Sequence, residues 1–216
     1  MRAAITQREQ MDSYGTAVDF LEAAYTLFFE RYGVDLCPVP NFTADPDKYL
    51  KDVEMLILTG GGDLPAYCYA DGREGGGQEH RDETERKMIE TCLLKGIPIL
   101  AICRGMQYIN GILGGKVRKL INLKEQRPIR NDHPVMLCAQ RKPIMVNNYH
   151  NDGIYREDLA AGLKIIALDE TNGVVEAFES EERRILALQW HPERPYEMPE
   201  HQEETDTLIK MFLNSI

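Results

Sequence analysis

Ile97-Pro98-Ile99-Leu100-Ala101-Ile102-Cys103-Arg104-Gly105-Met106-Gln107-Tyr108-Ile109-Asn110 is the stretch on which the reading of this chain turns. Ile97 to Ile102 is a short apolar run of the kind buried on both faces of a parallel sheet. From Gly105 to Leu113 the pattern is helical, and Gly114-Gly115 closes it. A buried strand therefore runs straight into a helix, with Cys103 at the junction. In open α/β sheets ligands gather at the carboxyl ends of strands, and a side chain on so sharp a turn is thrust outward. The partial positive charge of a helix N-terminus favours a thiolate. Gly105 lets the turn pass close to neighbouring backbone. Cys103 is thus a candidate nucleophile, although a cysteine taken alone is more often a small core residue.

A thiol nucleophile needs a base. Leu186-Ala-Leu-Gln-Trp-His191-Pro-Glu193-Arg194 offers His191 after another apolar strand. Pro192 fixes the chain behind it, and Glu193 is placed to set the imidazole tautomer and stabilise the imidazolium. Cys103 and His191 lie 88 residues apart, so only the fold can join them. Leu58-Thr59-Gly60-Gly61-Gly62-Asp63 supplies a third element. Three glycines after the buried run Met55 to Leu58 free the backbone to aim N–H groups at a developing oxyanion. The Arg104 amide, opening the helix, is the second donor. A phosphate-binding loop fits less well, because no Gly-Lys-Ser/Thr follows.

Around these segments, short strands alternate with helical patterns, the signature of α/β architecture. Ala3–Ile5 and Leu36–Val39 read as strands, Ala17 to Tyr32 as one amphipathic helix ending at Gly33, Glu83 to Leu94 as a helix stopped by Gly96, and Glu204 to Ile216 as a closing helix. Val135–Cys138, Ile144–Val146, Ile165–Leu168, Val174–Phe178 and Ile185–Gln189 read as a mixed, partly antiparallel run of strands. The Tyr69 to Arg81 loop, with Gly72, Gly75, Gly76 and Gly77 among charges, reads as a surface loop, with a lid as the other option. Within Arg81-Asp-Glu-Thr-Glu85, Asp82 and Glu85 share a helix face. Helix capping is the expected role, and a paired-carboxylate acid/base site the alternative.

The chain has 216 residues, 43% hydrophobic and 28% charged, which fits one domain, 1–216. Twenty-five Lys and Arg against 35 Asp and Glu leave a net charge of −10, so nucleic acid is an unfavourable partner. No apolar run approaches the roughly 18 residues that a membrane span needs, and MRAAITQREQ has no apolar signal core. A cytoplasmic location is the expectation. Cys37, Cys68, Cys92, Cys103 and Cys138 are odd in number and never in a CxxC pair, which argues against a disulfide framework and a zinc knuckle. His80, His133, His150 and His201 are too dispersed for a zinc site, so no metal and no cofactor are expected.

Five segments taken together resemble a known family: LTGGGDLP (58–65), RDETE (81–85), PILAICRGMQYINGILGG (98–115), VNNYHNDGI (146–154) and ALQWHPER (187–194). They are similar, in order, to the class I glutamine amidotransferase-like superfamily, and CRGMQ to its gamma-glutamyl hydrolase branch, typified by gamma-glutamyl-gamma-aminobutyrate hydrolases. The resemblance implies a three-layer, flavodoxin-like sandwich with a mostly parallel central sheet flanked by helices. It implies a Cys103–His191–Glu193 triad, an oxyanion hole from Gly60, Gly61 and Arg104, and a gamma-glutamyl group held by Gln107 and the segment Asn148, Tyr149 and His150. It departs from the family at Ala101, where Gly is usual. The ITQR opening (5–8), the NxxHN segment and WHPER are similar to gamma-glutamyl-CDP-amidate hydrolases, for which Arg2, Arg8 and Arg104 would offer charge to a phosphate. The implied substrate is a small gamma-glutamyl compound. A homodimer is allowed for, and a synthetase partner belongs only to the alternative of a glutaminase subunit that passes ammonia on.

Overall fold

The computed structural model describes residues 1–76, 78–121, 123 and 129–216. In chain order the elements are β1 (Arg2–Thr6), β2 (Arg8–Met11), β3 (Ala17–Phe20), α1 (Ala23–Glu30), β4 (Asp35–Val39), β5 (Met55–Leu58), α2 (Glu79–Lys95), β6 (Ile99–Ile102), α3 (Arg104–Ile112), β7 (Arg118–Lys119), β8 (Asp132–Leu137), β9 (Lys142–Asn147), β10 (Asp152–Tyr155), β11 (Lys164–Asp169), β12 (Val174–Ser180), β13 (Ile185–Leu188) and α4 (Gln202–Asn214).

The main sheet runs β4-β1-β5-β6-β13-β12-β11-β8-β9, with β10 beside β12 and β7. Its first five strands are parallel; β12, β11, β8 and β9 add antiparallel pairs. The central strands are buried on both faces, and their side chains alternate between two cores. Leu56, Leu58, Ile99 and Ala101 join Met88, Ile89, Met106 and Ile109 of α2 and α3 on one side. Met55, Ile57, Leu100 and Ile102 join Tyr25, Phe28 and Phe29 of α1 and Ile209 of α4 on the other. The period-2 alternation of each strand thus supplies two apolar faces, which only a helix layer on each side can cover. This is the three-layer α/β sandwich.

Gly96 ends α2 in the left-handed region at φ 68, its amide returning to the Cys92 carbonyl. Ala101 sits in register with Leu58 on one side and Ala187 on the other, so its methyl packs in the core against a small neighbour.

Two boundaries differ from the sequence reading. Ala17–Phe20 is not the start of a helix but the second strand of a hairpin with Arg8–Met11. Asp12 accepts the amides of Tyr14 and Thr16, and Gly15 takes φ 77, which closes the hairpin turn. The helix that follows begins only at Ala23. Helix α2 begins at Glu79, so the preceding loop is shorter than expected. In that loop Arg73 bonds Asp71 and Asp152 and lies over the Tyr69 ring, and Gly75 packs against the backbone of residues 64–66. Gly77 lies outside the described residues.

Candidate active site

The sheet order puts the carboxyl ends of β5, β6 and β13 side by side. The three segments singled out in the sequence leave the sheet there: Thr59-Gly60-Gly61-Gly62, Cys103, and Gln189-Trp190-His191. Cys103 has φ 52 and ψ −104, a conformation that non-glycine residues avoid. It is held there by its own amide, which donates to the Leu188 carbonyl at 2.7 Å, and by the start of α3 immediately behind it. Gly105 is obligatory at the next turn, since a Cβ would lie 2.6 Å from the Leu58 carbonyl oxygen.

His191 and Glu193 converge on Cys103. His191 Nδ1 lies 2.6 Å from Glu193 Oε1, which leaves Nε2 for the thiol. Burial by itself pushes the Cys103 thiol up, but the facing His191 outweighs it and brings the thiol below its ordinary value. Burial likewise opposes charge on His191, yet Cys103 and Glu193 push it up to about 9. Both directions favour a thiolate–imidazolium pair. Asn147 fixes the histidine's backbone, accepting from the His191 amide at 2.9 Å and donating to its carbonyl at 2.8 Å. The Tyr149 ring and the imidazole meet edge to face, with centroids 5.6 Å apart, and the Arg194 guanidinium lies over the Tyr149 ring.

Gly60 closes the site from the β5 side. A Cβ there would lie 2.5 Å from His191 Cε1 and 3.3 Å from Cys103 Cβ. Its amide is engaged elsewhere: it donates to the buried Tyr25 hydroxyl at 2.8 Å. Of the three expected oxyanion donors, Gly60 is therefore corrected to a close-packing role. The amides of Gly61 and Arg104 have no hydrogen-bond acceptor among the described residues. For Arg104 this follows from its place at the first position of α3.

Gln107 reaches the site from one turn inside α3. Its amide nitrogen bonds Gln189 Oε1 at 3.0 Å and the Asp152 carbonyl at 2.9 Å. Gln189 in turn points its Nε2 at Cys103 Sγ, 3.7 Å away. Of the 148–150 segment, Tyr149 touches the histidine, and His150 shares the Asp152 carbonyl with Gln107. Asn148 is buried, and its carbonyl accepts from the Arg130 amide.

The arginines expected to meet a phosphate separate. Arg2 sits at the opposite, amino end of β1, where its Nε meets Cys37 Sγ. Arg104 is buried, its guanidinium on Glu85 and Asp82. Only Arg8 lies beside the site, bonding the Gly60 carbonyl and Glu22, which Arg194 also holds. Burial alone would raise Glu22, and these two arginines hold it below its usual value. Asp82 lies in the first turn of α2, where an acidic residue suits the dipole, but it and Glu85 do not form an acid/base pair of their own; both turn to Arg104. Among the described residues no group of three or more His, Cys, Asp or Glu could hold a metal ion, and no helix is long and apolar enough to cross a membrane.

Sequence reasoning missed Tyr25, Asn147, Gln189 and Arg81 as parts of this site. Asn147 and Gln189 stand within the VNNYHND and ALQWHPER segments, so proximity to them was an available signal. Arg81 likewise opens the RDETE segment; Tyr25 carried no such signal.

Comparison with known proteins gives the family and the fold. The Peptidase C26 profile matches residues 2–193. The glutamine amidotransferase-like protein YvdE of Lactococcus lactis subsp. lactis is 30% identical over 226 residues, covering 95% of this chain and 93% of that protein. The gamma-glutamyl-CDP-amidate hydrolase of Campylobacter jejuni is 30% identical over 169 residues, covering 78% of this chain and 76% of that one. A glutamine amidotransferase of Thermotoga maritima has the same fold, with a TM-score of 0.63 at 19% identity over 97% of this chain and 84% of that one. The chain belongs to the Peptidase C26 family, among the class I glutamine amidotransferase-like hydrolases.

Proposed function

We propose that this chain hydrolyses the amide bond of a gamma-glutamyl compound through a thioester on Cys103. The observation that carries the reading is the convergence of an elbow cysteine, His191 and Glu193 at one strand end, with the thiol lowered and the imidazole raised. The Cys103 thiolate attacks the gamma-carbonyl carbon, forming the C–S bond as the carbonyl electron pair moves to oxygen. The amides of Gly61 and Arg104 receive that oxyanion. On collapse the C–N bond breaks, and His191 gives its proton to the departing nitrogen. Water then attacks the thioester, His191 takes the water proton, and glutamate leaves as the thiolate is restored. Glu193 holds the imidazole tautomer and supports its charge throughout. No step calls on a metal or an organic cofactor.

The substrate class is a gamma-glutamyl amine or amidate, such as gamma-glutamyl-gamma-aminobutyrate or a gamma-glutamyl-CDP-amidate. The Campylobacter jejuni relative, named for the second of these, supports that range. The deciding assay is glutamate release from a panel of glutamine, gamma-glutamyl-gamma-aminobutyrate, other gamma-glutamyl amines and a gamma-glutamyl nucleotide amidate, with Cys103→Ala alongside. Cys103-dependent release from one gamma-glutamyl amide, with little from glutamine, is the expected result. Release from glutamine alone would instead favour a glutaminase subunit serving a synthetase. Equal release by Cys103→Ala would remove the mechanism.

A further inference from the structure

The oxyanion donors are backbone groups, and a backbone amide points where its peptide plane is held. Three successive carbonyls of the 59–61 turn accept from two arginines, Arg81 and Arg8. Arg81 Nη2 donates to the Thr59 carbonyl at 2.7 Å, and Arg81 Nη1 to the Gly61 carbonyl at 2.7 Å. The Gly60 carbonyl between them accepts from Arg8 Nε at 3.0 Å and from Arg81 Nη2 at 3.4 Å. No peptide bond among the described residues is cis, so each N–H there points opposite to the carbonyl of its own plane. Fixing the Gly60 carbonyl therefore fixes the Gly61 amide on the far side. Arg8 makes the shorter bond to that carbonyl, while Arg81, through the Thr59 and Gly61 carbonyls, holds the peptide planes on either side; Gly60 and Gly61, the latter at φ 82, bring no Cβ to limit rotation.

Arg81 is fully buried and held in place itself. Its Nε meets Glu85 Oε1 at 2.8 Å, and the same oxygen accepts from Thr6 Oγ1 at 2.8 Å. The other Glu85 oxygen takes Arg104 Nη1 at 2.5 Å, and Asp82 takes Arg104 Nη2. Arg104 Nε adds a bond to the Asp63 carbonyl at 2.9 Å. One turn of α2 thus grips both halves of the hole. Arg81 holds the turn that carries the Gly61 amide, and Glu85 with Asp82 holds the side chain of the residue that carries the other amide. A buried ion-pair network of this kind is a poor source of stability, because desolvation cancels most of its attraction. Its geometry has a use that its energy does not explain.

We propose that Arg81, tied through Glu85 to Arg104, is a positioning residue that aims the Gly61 and Arg104 amides at the oxyanion, with Arg8 fixing the Gly60 carbonyl between the two carbonyls that Arg81 anchors. The inference rests on the hydrolase reading above, and its test separates the two. Arg81→Met, Arg81→Lys and Arg8→Met are compared with the parent and with Cys103→Ala. Turnover of gamma-glutamyl-p-nitroanilide is measured beside the rate at which iodoacetamide alkylates Cys103. Alkylation needs the thiolate but develops no oxyanion. Loss of one oxyanion donor costs about 10²–10³-fold in kcat, and Arg81→Met is expected to approach that range with KM little changed. The alkylation rate and its pH profile stay at the parent's values. Arg8→Met shows a fall of the same kind, and Arg81→Lys, which keeps a cationic donor, recovers part of kcat. If Arg81→Met does not fold, Arg81→Lys and the half-exposed Arg8→Met carry the same comparison. Alkylation falling in step with kcat, or kcat unchanged in every folded variant, overturns the proposal. Undiminished turnover by Cys103→Ala overturns the hydrolase reading instead.

Discussion

Gly60 and His191 are in direct contact: a side chain at residue 60 would place its first carbon 2.5 Å from His191 Cε1. The backbone of Gly60 is not in the left-handed region, so a methyl there is excluded by the imidazole and Cys103 and not by its own φ. Gly60→Ala is therefore expected to fold while pushing His191 off line. A displacement of that order costs about 10²-fold in rate. Steady-state kcat alongside a thermal melt checks it; an active Gly60→Ala would show that His191 has room to move.

Cys103 holds an unfavourable backbone conformation, and its replacement separates strain from chemistry. Cys103→Ala and Cys103→Gly both remove the thiol, but only glycine adopts φ 52, ψ −104 without a Cβ penalty. Such strain costs about 1–3 kcal/mol, against about 1 kcal/mol of extra chain entropy for glycine. Cys103→Gly should be at least as stable as Cys103→Ala, by denaturant midpoint, reversing the usual order. Neither should release glutamate.

The charge state of the pair sets the pH behaviour. Cys103 is lowered by His191 against the effect of burial, so iodoacetamide alkylation should reach half its plateau below the ordinary thiol value of 9.0. A thiolate absorbance near 240 nm should be present at neutral pH. In His191→Ala only burial and lesser charges remain, the thiol rises, and that absorbance should vanish. The imidazolium is lost as pH passes through about 9, which places the alkaline limb of kcat/KM there. Glu193→Gln removes one of the charges that raise His191, so the limb should move to lower pH with partial activity retained. An unmoved limb would count against Glu193 as the partner that tunes it.

Asn147 is wholly buried and bonds both the amide and the carbonyl of His191. Asn147→Ala leaves two buried backbone groups without those partners, a loss of about 1–3 kcal/mol for each unsatisfied group. It should lower the melting temperature and kcat together, whereas Gln107→Ala, which loses bonds to the Gln189 side chain and the Asp152 carbonyl, should raise KM with a smaller effect on stability. Parallel melts and kinetics of the two variants decide between these roles.

Much of the fold was legible locally. The apolar runs at Met55–Leu58, Ile99–Ile102 and Ile185–Leu188 are strands because apolar segments of this length are too short for helices. Ala17–Phe20 was misread because its residues suit a helix in isolation. Its strand state depends on Arg8–Met11 and on the Asp12–Gly15 turn that brings them together. Asp82 and Glu85 were expected near a helix start, where acidic residues favour the dipole. Their pairing with Arg104 needs a residue some twenty positions away to be folded against them.

The sequence alone determined that a cysteine stands where a buried strand meets a helix, that a histidine and a glutamate follow another strand, and that a glycine turn ends a third. Each is a property of neighbours along the chain. The tertiary structure alone decided that those three strand ends are adjacent, that Gly60 gives its amide to Tyr25, and that Arg81 reaches the turn. Peptide orientation is set by which donors and acceptors the fold brings within about 3 Å. No residue type encodes that by itself, because every residue carries the same backbone groups.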